Sequence, residues 1–179
     1  MKITHSKYFW HAITLLSLIV IATSIYYLLG GFKEFELKAY KGIEYDVAGV
    51  EFEGKYNDPK IEELFKQAKE LVFSNEVGGT LCVIDYLDAT AEEQQVHYFI
   101  GAILKNRVTE LPPGYTVRKI SSRGMLSITL DSHPLVRPKK DDIEARMFSL
   151  AGEKNLELEN FFLEKHFEDN SVIVEGFVK

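Results

Sequence analysis

Apolar and polar residues alternate along this chain with the period of two that suits a strand buried on one face. Twice that rhythm gives way to the three-and-four spacing of a helix. Glu34 to Tyr40 alternates, Gly42 interrupts, and Glu44 to Glu53 reads as a second strand segment. Tyr45, Val47, Gly49 and Glu51 share one of its faces, and Asp46, Ala48, Val50 and Phe52 the other. Gly49 marks a bulge or a close approach of backbone or ligand. Asp58 then offers a cap and Pro59 fits the first helical position. Ile61, Leu64, Phe65, Ala68, Leu71 and Val72 follow as one apolar stripe, with Glu62, Glu63, Lys66, Lys69 and Glu70 on the wet side. After Gly78-Gly79 come an apolar strand from Thr80 to Tyr86, a polar connection from Asp88 to Gln95, and a strand from Val96 to Leu104 that contains Gly101.

Leu111-Pro112-Pro113-Gly114-Tyr115 stops the pattern, because two prolines and a glycine let neither a helix nor a central strand through. The same order then returns. Tyr115 to Ile120 alternates, Arg123-Gly124 interrupts, and Met125 to Asp131 continues. Pro138 opens a helix with Asp141 and Asp142 in its first turn, the apolar stripe Ile143, Met147, Leu150 and Ala151, and Gly152 at its end. Leu156 to Phe167 and Ser171 to Val178 are strands joined by the turn Glu168-Asp169-Asn170. Ile100-Gly101 of the first half aligns with Glu175-Gly176 of the second. A chain that states one β-α-β-β unit twice folds the copies together, since neither half buries its apolar face alone. The expectation is an α+β domain whose halves, about 34–110 and 115–179, enclose a small-molecule pocket.

The start of the chain follows neither rhythm. Ala12 to Leu29 is uncharged, with Trp10 at one end and Tyr26-Tyr27 at the other, as in a helix crossing a bilayer between aromatic belts. The expected order is a short tail over 1–11, a transmembrane helix over 12–29, a linker over 30–33 and the domain over 34–179. A cleaved signal peptide would want a shorter apolar run and a small-x-small site, and none precedes Gly30. The predicted location is thus a single-pass membrane protein bound to the lipid bilayer through this helix. Lys2 and Lys7 precede the span, and Lys33, Lys38 and Lys41 follow among acids. A short basic tail is usually retained in the cytoplasm, which places the domain on the extracytoplasmic side.

Net charge is −6, and setting aside Lys2 and Lys7 leaves −8 for the remainder, which argues against nucleic acid as a partner. Cys82 is the only cysteine and sits in an apolar run, so it reads as a buried thiol. The five histidines show no metal-ligand spacing, and neither a nucleophile elbow nor a phosphate loop is present, so no metal and no cofactor are expected.

Glu175 stands apart from the rest. Val172, Val174, Gly176 and Val178 form one face of its strand, and Ser171, Ile173, Glu175 and Phe177 the other. A carboxylate between two apolar faces must be paired, hydrogen-bonded or protonated. Gly176 leaves room beside it for a ligand or a neighbouring backbone. Glu175 is thus a candidate pocket acid, or an edge residue facing water. The tyrosines Tyr45, Tyr56, Tyr86, Tyr98 and Tyr115 are candidates for its walls. Arg118 reads as an exposed strand arginine or the partner of a buried acid, and His133 as a loop residue or a polar pocket group.

The order of elements, the Leu111–Tyr115 hinge and the ending Val174-Glu175-Gly176-Phe177-Val178 together resemble the GyrI-like, or bacterial effector-binding, domain family. The resemblance covers about Glu34 to Lys179. It implies duplicated β-α-β-β units forming a curved antiparallel sheet around a cleft, with two main helices. It also implies an effector-binding role in which Glu175 and Phe177 match the acid and aromatic of the last strand, and the acid meets a cationic ligand. Lys179 departs from the proline often found there. The ligand-binding set expected is Glu175, Phe177, Tyr98, Tyr115 and Tyr45, and the ligand a cationic or aromatic small molecule. Two alternatives stay open. One is a hydrolase of reactive small molecules with Glu175 as general base beside Tyr98 or Tyr115, and the other a protein-interaction module whose cleft is filled by side chains.

Overall fold

A computed structural model describes residues 7–33, 37–73, 79–87, 94–105 and 111–179. The expected strand start at Glu34, Gly78 and residues 88–93 of the polar connection lie outside the described residues. The chain divides into two compact units, Met1–Glu34 with Asp131–Pro138, and Phe35–Leu130 with Lys139–Lys179.

The smaller unit is built on helix α1, Lys7–Leu28. Phe9–Leu28 is long and apolar enough to cross a membrane, and no residue of that window is buried. Its hydroxyls turn inward: those of Thr14, Ser17 and Ser24 donate to the carbonyls of Trp10, Ile13 and Val20 at 3.0, 2.9 and 2.8 Å. A polar group so satisfied costs little in hydrocarbon. The Leu29 carbonyl accepts from the His133 amide at 3.0 Å, and Lys33 pairs with Asp131 at 2.6 Å. His133 has the loop role: its Nδ1 accepts from the Leu135 amide at 3.2 Å and caps a short 3-10 turn, Pro134–Val136.

The larger unit holds both halves. The first runs β1 Leu37–Lys55, α2 Pro59–Phe73, β2 Gly79–Tyr86 and β3 Gln95–Leu104. The second runs β4 Thr116–Leu130, α3 Lys140–Glu153, β5 Leu158–His166 and β6 Val172–Val178. This is the expected α+β order, β-α-β-β stated twice. Asp58 Oδ1 accepts from the Lys60 amide at 2.8 Å and so caps α2 as anticipated. α3 begins at Lys140, two residues after Pro138, with Lys139 in extended conformation at its start.

All strand pairings are antiparallel and run in the order β1-β3-β2-β5-β6-β4, closed into a barrel. The curved sheet thus meets itself at two seams, β1 with β4 and β2 with β5, each joining the equivalent strands of the two halves. Closure removes the free edges that a curved six-stranded sheet would expose.

The interruptions at Gly42 and Arg123-Gly124 are kinks within single long strands, not breaks between two. The β1–β4 register holds from Leu37↔Ile128 to Gly49↔Thr116 and skips only Gly42. Gly42 has φ +58°, a conformation that glycine adopts without strain. Across it the faces exchange. Tyr45 and Ile120 face the barrel interior, and so does Met125, an odd number of residues from Ile120. Gly49 and Gly101 sit opposite one another, and a Cβ at Gly101 would lie 1.9 Å from the Ala48 carbonyl oxygen. The close backbone approach expected at Gly49 is therefore present.

Three apolar clusters follow from the alternation. Val47, Cys82, Ile84, Phe99, Leu163 and Phe177 fill the barrel. Phe52, Leu64, Ala68 and Ile100 join α2 to the outer face of the first half. Leu126, Ile143, Met147 and Phe162 join α3 to the second. These faces correct one alignment. Ile100 points outward to α2 while Glu175 points inward, so Ile100-Gly101 and Glu175-Gly176 are out of phase by one residue. Nor is there spare room at Gly176: a Cβ there would meet the Phe162 ring at 2.8 Å.

Candidate functional site

Strand alternation brings Glu175 and Phe177 of β6, Tyr45 of β1 and Lys165 of β5 to the inner wall of the barrel. Glu175 is 3 % exposed. Lys165 Nζ donates to its Oε1 at 2.5 Å and to the Tyr45 hydroxyl at 2.8 Å, and stands 4.5 Å from the centre of the Tyr45 ring. The Tyr45 hydroxyl makes a longer contact with Glu175 Oε1, 3.5 Å. Glu175 Oε2 is buried and has no hydrogen-bond partner among the described residues. The Phe177 ring meets Tyr45 edge-on at 6.2 Å and stacks on Phe161 at 5.3 Å.

Burial raises the Glu175 carboxyl above its ordinary range, and the hydrogen bond from Lys165 offsets only part of that rise. Burial also works against the Lys165 ammonium, but its hydrogen bonds to Glu175 and Tyr45 outweigh it and hold the lysine above the usual range. Burial raises the Tyr45 hydroxyl as well, so it stays protonated and able to donate.

A second layer lies at the end of the barrel. Phe177, Phe161, Tyr86, Ile84 and Arg118 line a cavity of about 190 Å³, with Lys119 and Glu159 at its rim. Glu175 does not line it; Phe177, the next residue on the same face of β6, does. Arg118 lies 4.5 Å from the Phe99 ring centre and 5.4 Å from that of Tyr86, donates to the Tyr86 hydroxyl, and pairs with Glu51 at 2.7 Å. The same Glu51 oxygen meets His97 Nε2 at 2.7 Å. Arg118 is therefore half-exposed and paired with an acid, although that acid is on the surface rather than buried.

A larger hollow of about 620 Å³ is lined by Glu53, Asp85, Tyr86, His97, Lys140 and Asn160. Its charges are paired off against one another: Lys140 with the buried Asp85 and with Glu144 at 3.6 Å, His97 with Glu51 and with Glu53 at 3.5 Å. Glu51, Glu53 and His97 also bring ligand atoms within 4.8 Å of one another. Sequence spacing could not reveal that group, because His97 reaches the acids only through the β1–β3 register Glu53↔His97.

Of the five residues expected to bind ligand, Glu175, Phe177 and Tyr45 come together. Tyr98 and Tyr115 do not join them. Tyr98 pairs across the sheet with Phe52 and packs on the outer face beneath α2, with Lys140 5.7 Å from its ring centre. Tyr115 stands just before β4, half-buried, its hydroxyl without a partner among the described residues. Neither is placed to assist Glu175 in acid–base chemistry. Tyr86 does reach the cavity, whereas Tyr56 is exposed.

No protein-family model and no curated protein matches the chain. Solved structures do. The EcmrR C-terminal domain is 13 % identical with a TM-score of 0.57, over 82 % of this chain and 99 % of that one. A hydrolase from Listeria innocua is 9 % identical with a TM-score of 0.55, over 80 % and 92 %. SAV2435 bound to tetraphenylphosphonium is 10 % identical with a TM-score of 0.50, over 82 % and 94 %. At such identities the likeness is one of fold: the barrel domain has the architecture of these structures.

Proposed function

We propose that this protein is a membrane-anchored small-molecule-binding domain of the GyrI-like, effector-binding kind. α1 holds it in the bilayer with the barrel on the extracytoplasmic side. The ligand is a small aromatic molecule that enters at the end of the barrel, lies against Phe161, Phe177 and Tyr86, and meets the Glu175 carboxylate behind them. One observation carries this reading: a buried carboxylate oxygen, Glu175 Oε2, has no hydrogen-bond partner among the described residues, and Phe177, the next residue on the same strand face, lines a cavity with Phe161 and Tyr86. A buried acceptor without a partner costs about 1–3 kcal/mol, which a bound donor recovers. The tetraphenylphosphonium complex of SAV2435, a protein of like fold, supports an aromatic ligand class.

Equilibrium dialysis of the full chain in detergent, against triphenylmethanol and with empty micelles as the blank, tests the proposal. Triphenylmethanol offers aromatic surface and one hydroxyl donor. Phe177→Leu and Glu175→Gln should each weaken its binding at least tenfold. Affinity unchanged in both variants would overturn the reading.

A further inference from the structure

A lipophilic cation seeking a buried carboxylate would use three features of this barrel: the Glu175 oxygens, the Tyr45 hydroxyl and the Tyr45 ring face. The chain's own ammonium already occupies all three. Lys165 Nζ lies 2.5 Å from Glu175 Oε1, 2.8 Å from the Tyr45 hydroxyl and 4.5 Å from the Tyr45 ring centre. The outer layer repeats the arrangement, with the Arg118 guanidinium against the Phe99 and Tyr86 rings and bound to the Tyr86 hydroxyl. The Tyr45, Tyr86 and Phe99 faces therefore already carry a resident cation, and Phe161 and Phe177 are stacked on one another. The cavity lining adds no free acid pair for a cation either: Arg118 and Lys119 stand there with one acid, Glu159, while their own partners, Glu51 and Glu44, lie outside it. Oε2 of Glu175 is left as the buried oxygen still able to accept.

We infer that Lys165 is a built-in counter-cation that sets the specificity of this pocket, excluding cationic ligands and leaving it to neutral aromatic molecules that bring one hydrogen-bond donor. The inference rests on the binding reading above and narrows it to a ligand class. Charge matching forces the exclusion. Lys165 and Glu175 sum to zero, so a second positive charge in the barrel has no counter-ion and bears the full cost of leaving water. A neutral donor bears no such cost.

The test pairs two probes of similar size, neutral triphenylmethanol and cationic methyltriphenylphosphonium, on the full chain in detergent. The wild-type protein should bind the neutral probe at least tenfold more tightly. Lys165→Met should raise affinity for the cation at least tenfold and so erase the preference for the neutral probe, because the acid then lacks its partner. Lys165→Gln, which keeps a donor without the charge, should do the same and serves if the methionine variant does not fold. Adding Glu175→Gln to either variant should remove the gain. Equal or tighter cation binding by the wild type overturns the inference while leaving the pocket standing. A gain that survives Glu175→Gln overturns it as well. Binding of neither probe to any variant removes the pocket itself, and the inference falls with it.

Discussion

Two buried acids in this domain have a lysine for a partner, and the difference between the two pairs separates scaffold from candidate site. Asp85 lies on the outer face of the sheet and pairs with Lys140, the first residue of α3. Lys140 is half-exposed and also reaches Glu144 one turn along. This pair fastens a helix to a sheet. Glu175 lies on the inner face and pairs with Lys165, whose side chain is only 15 % exposed. Both partners come from neighbouring strands, so the pair docks no helix. It leaves one carboxylate oxygen without a partner among the described residues, near stacked aromatic rings. Glu144 Oε1 of the outer cluster is likewise buried with no hydrogen-bond partner among the described residues, so what sets the inner pair apart is the stacked rings beside it and not the open oxygen alone.

The sharpest break between the two comes from removing one member. Glu175→Ala leaves the Lys165 ammonium enclosed without a counter-ion, and the loss should be about 3–5 kcal/mol in urea unfolding. Replacing both, Lys165→Met with Glu175→Leu, should cost far less than Glu175→Ala alone, because no orphaned charge remains. At the outer pair Lys140→Ala should cost only about 1–2 kcal/mol, since solvent already screens the lysine and can reach its partner once it is gone. It should leave triphenylmethanol binding unchanged. Equal losses at the two sites, or a binding defect in Lys140→Ala, would erase the distinction.

pH sharpens the contrast. Glu175 is raised in the folded state above its ordinary value of 4.5, chiefly by burial. In the window above 4.5 and below the raised value the unfolded chain has released this proton and the folded protein still holds it. Stability therefore falls as pH rises through that window, the reverse of a carboxylate stabilised by its salt bridge. Asp85 is also raised by burial, against its bond to Lys140, and adds a slope of the same sign starting lower, from 3.8. Glu51, Asp131 and Asp169 are held below their ordinary range and slope the other way, so the contrast is read as a difference: between about pH 4 and 7 the urea midpoint of the wild type should lose ground with rising pH relative to that of Glu175→Gln. A Glu175→Gln curve that runs parallel to the wild-type curve would contradict the burial of Glu175.

Much of this was legible in the alternation of residue types. The β-α-β-β order, the α2 cap at Asp58 and the inward face of β1 follow from local pattern, because burial of one face fixes which residues can occupy it. Glu175 could be singled out because it is a lone acid in a strand apolar on both sides. Lys165 could not. It sits in the run Glu164-Lys165-His166, which reads as a solvated strand end, and it reaches Glu175 only through the β5–β6 register, where Leu163 faces Glu175. Register is long-range information and leaves no trace in a single strand. Tyr98 shows the same limit: one residue away from the inward Phe99, it falls on the opposite face. The continuity of β1 through Gly42 was hidden as well, since a positive-φ glycine within a strand and one ending a strand look alike in sequence.

The mildest expected effect lies at the open end of the barrel and bounds how far the electrostatic argument extends. Glu51 accepts from both Arg118 and His97, and these two hydrogen bonds, led by that from Arg118, hold its carboxyl below the ordinary range. The side chain is 46 % exposed, however, so water screens much of that attraction. Glu51→Gln should change stability by less than about 1 kcal/mol, and added salt should shrink the difference further. Its effect on binding should also be small and should take a definite sign. Without Glu51 the Arg118 charge is less compensated, so affinity for methyltriphenylphosphonium should fall slightly while affinity for triphenylmethanol holds. If Glu51→Gln matched Glu175→Ala in stability or abolished binding of the neutral probe, the controlling charge would lie at the rim, and the buried pair would lose its claim to set specificity.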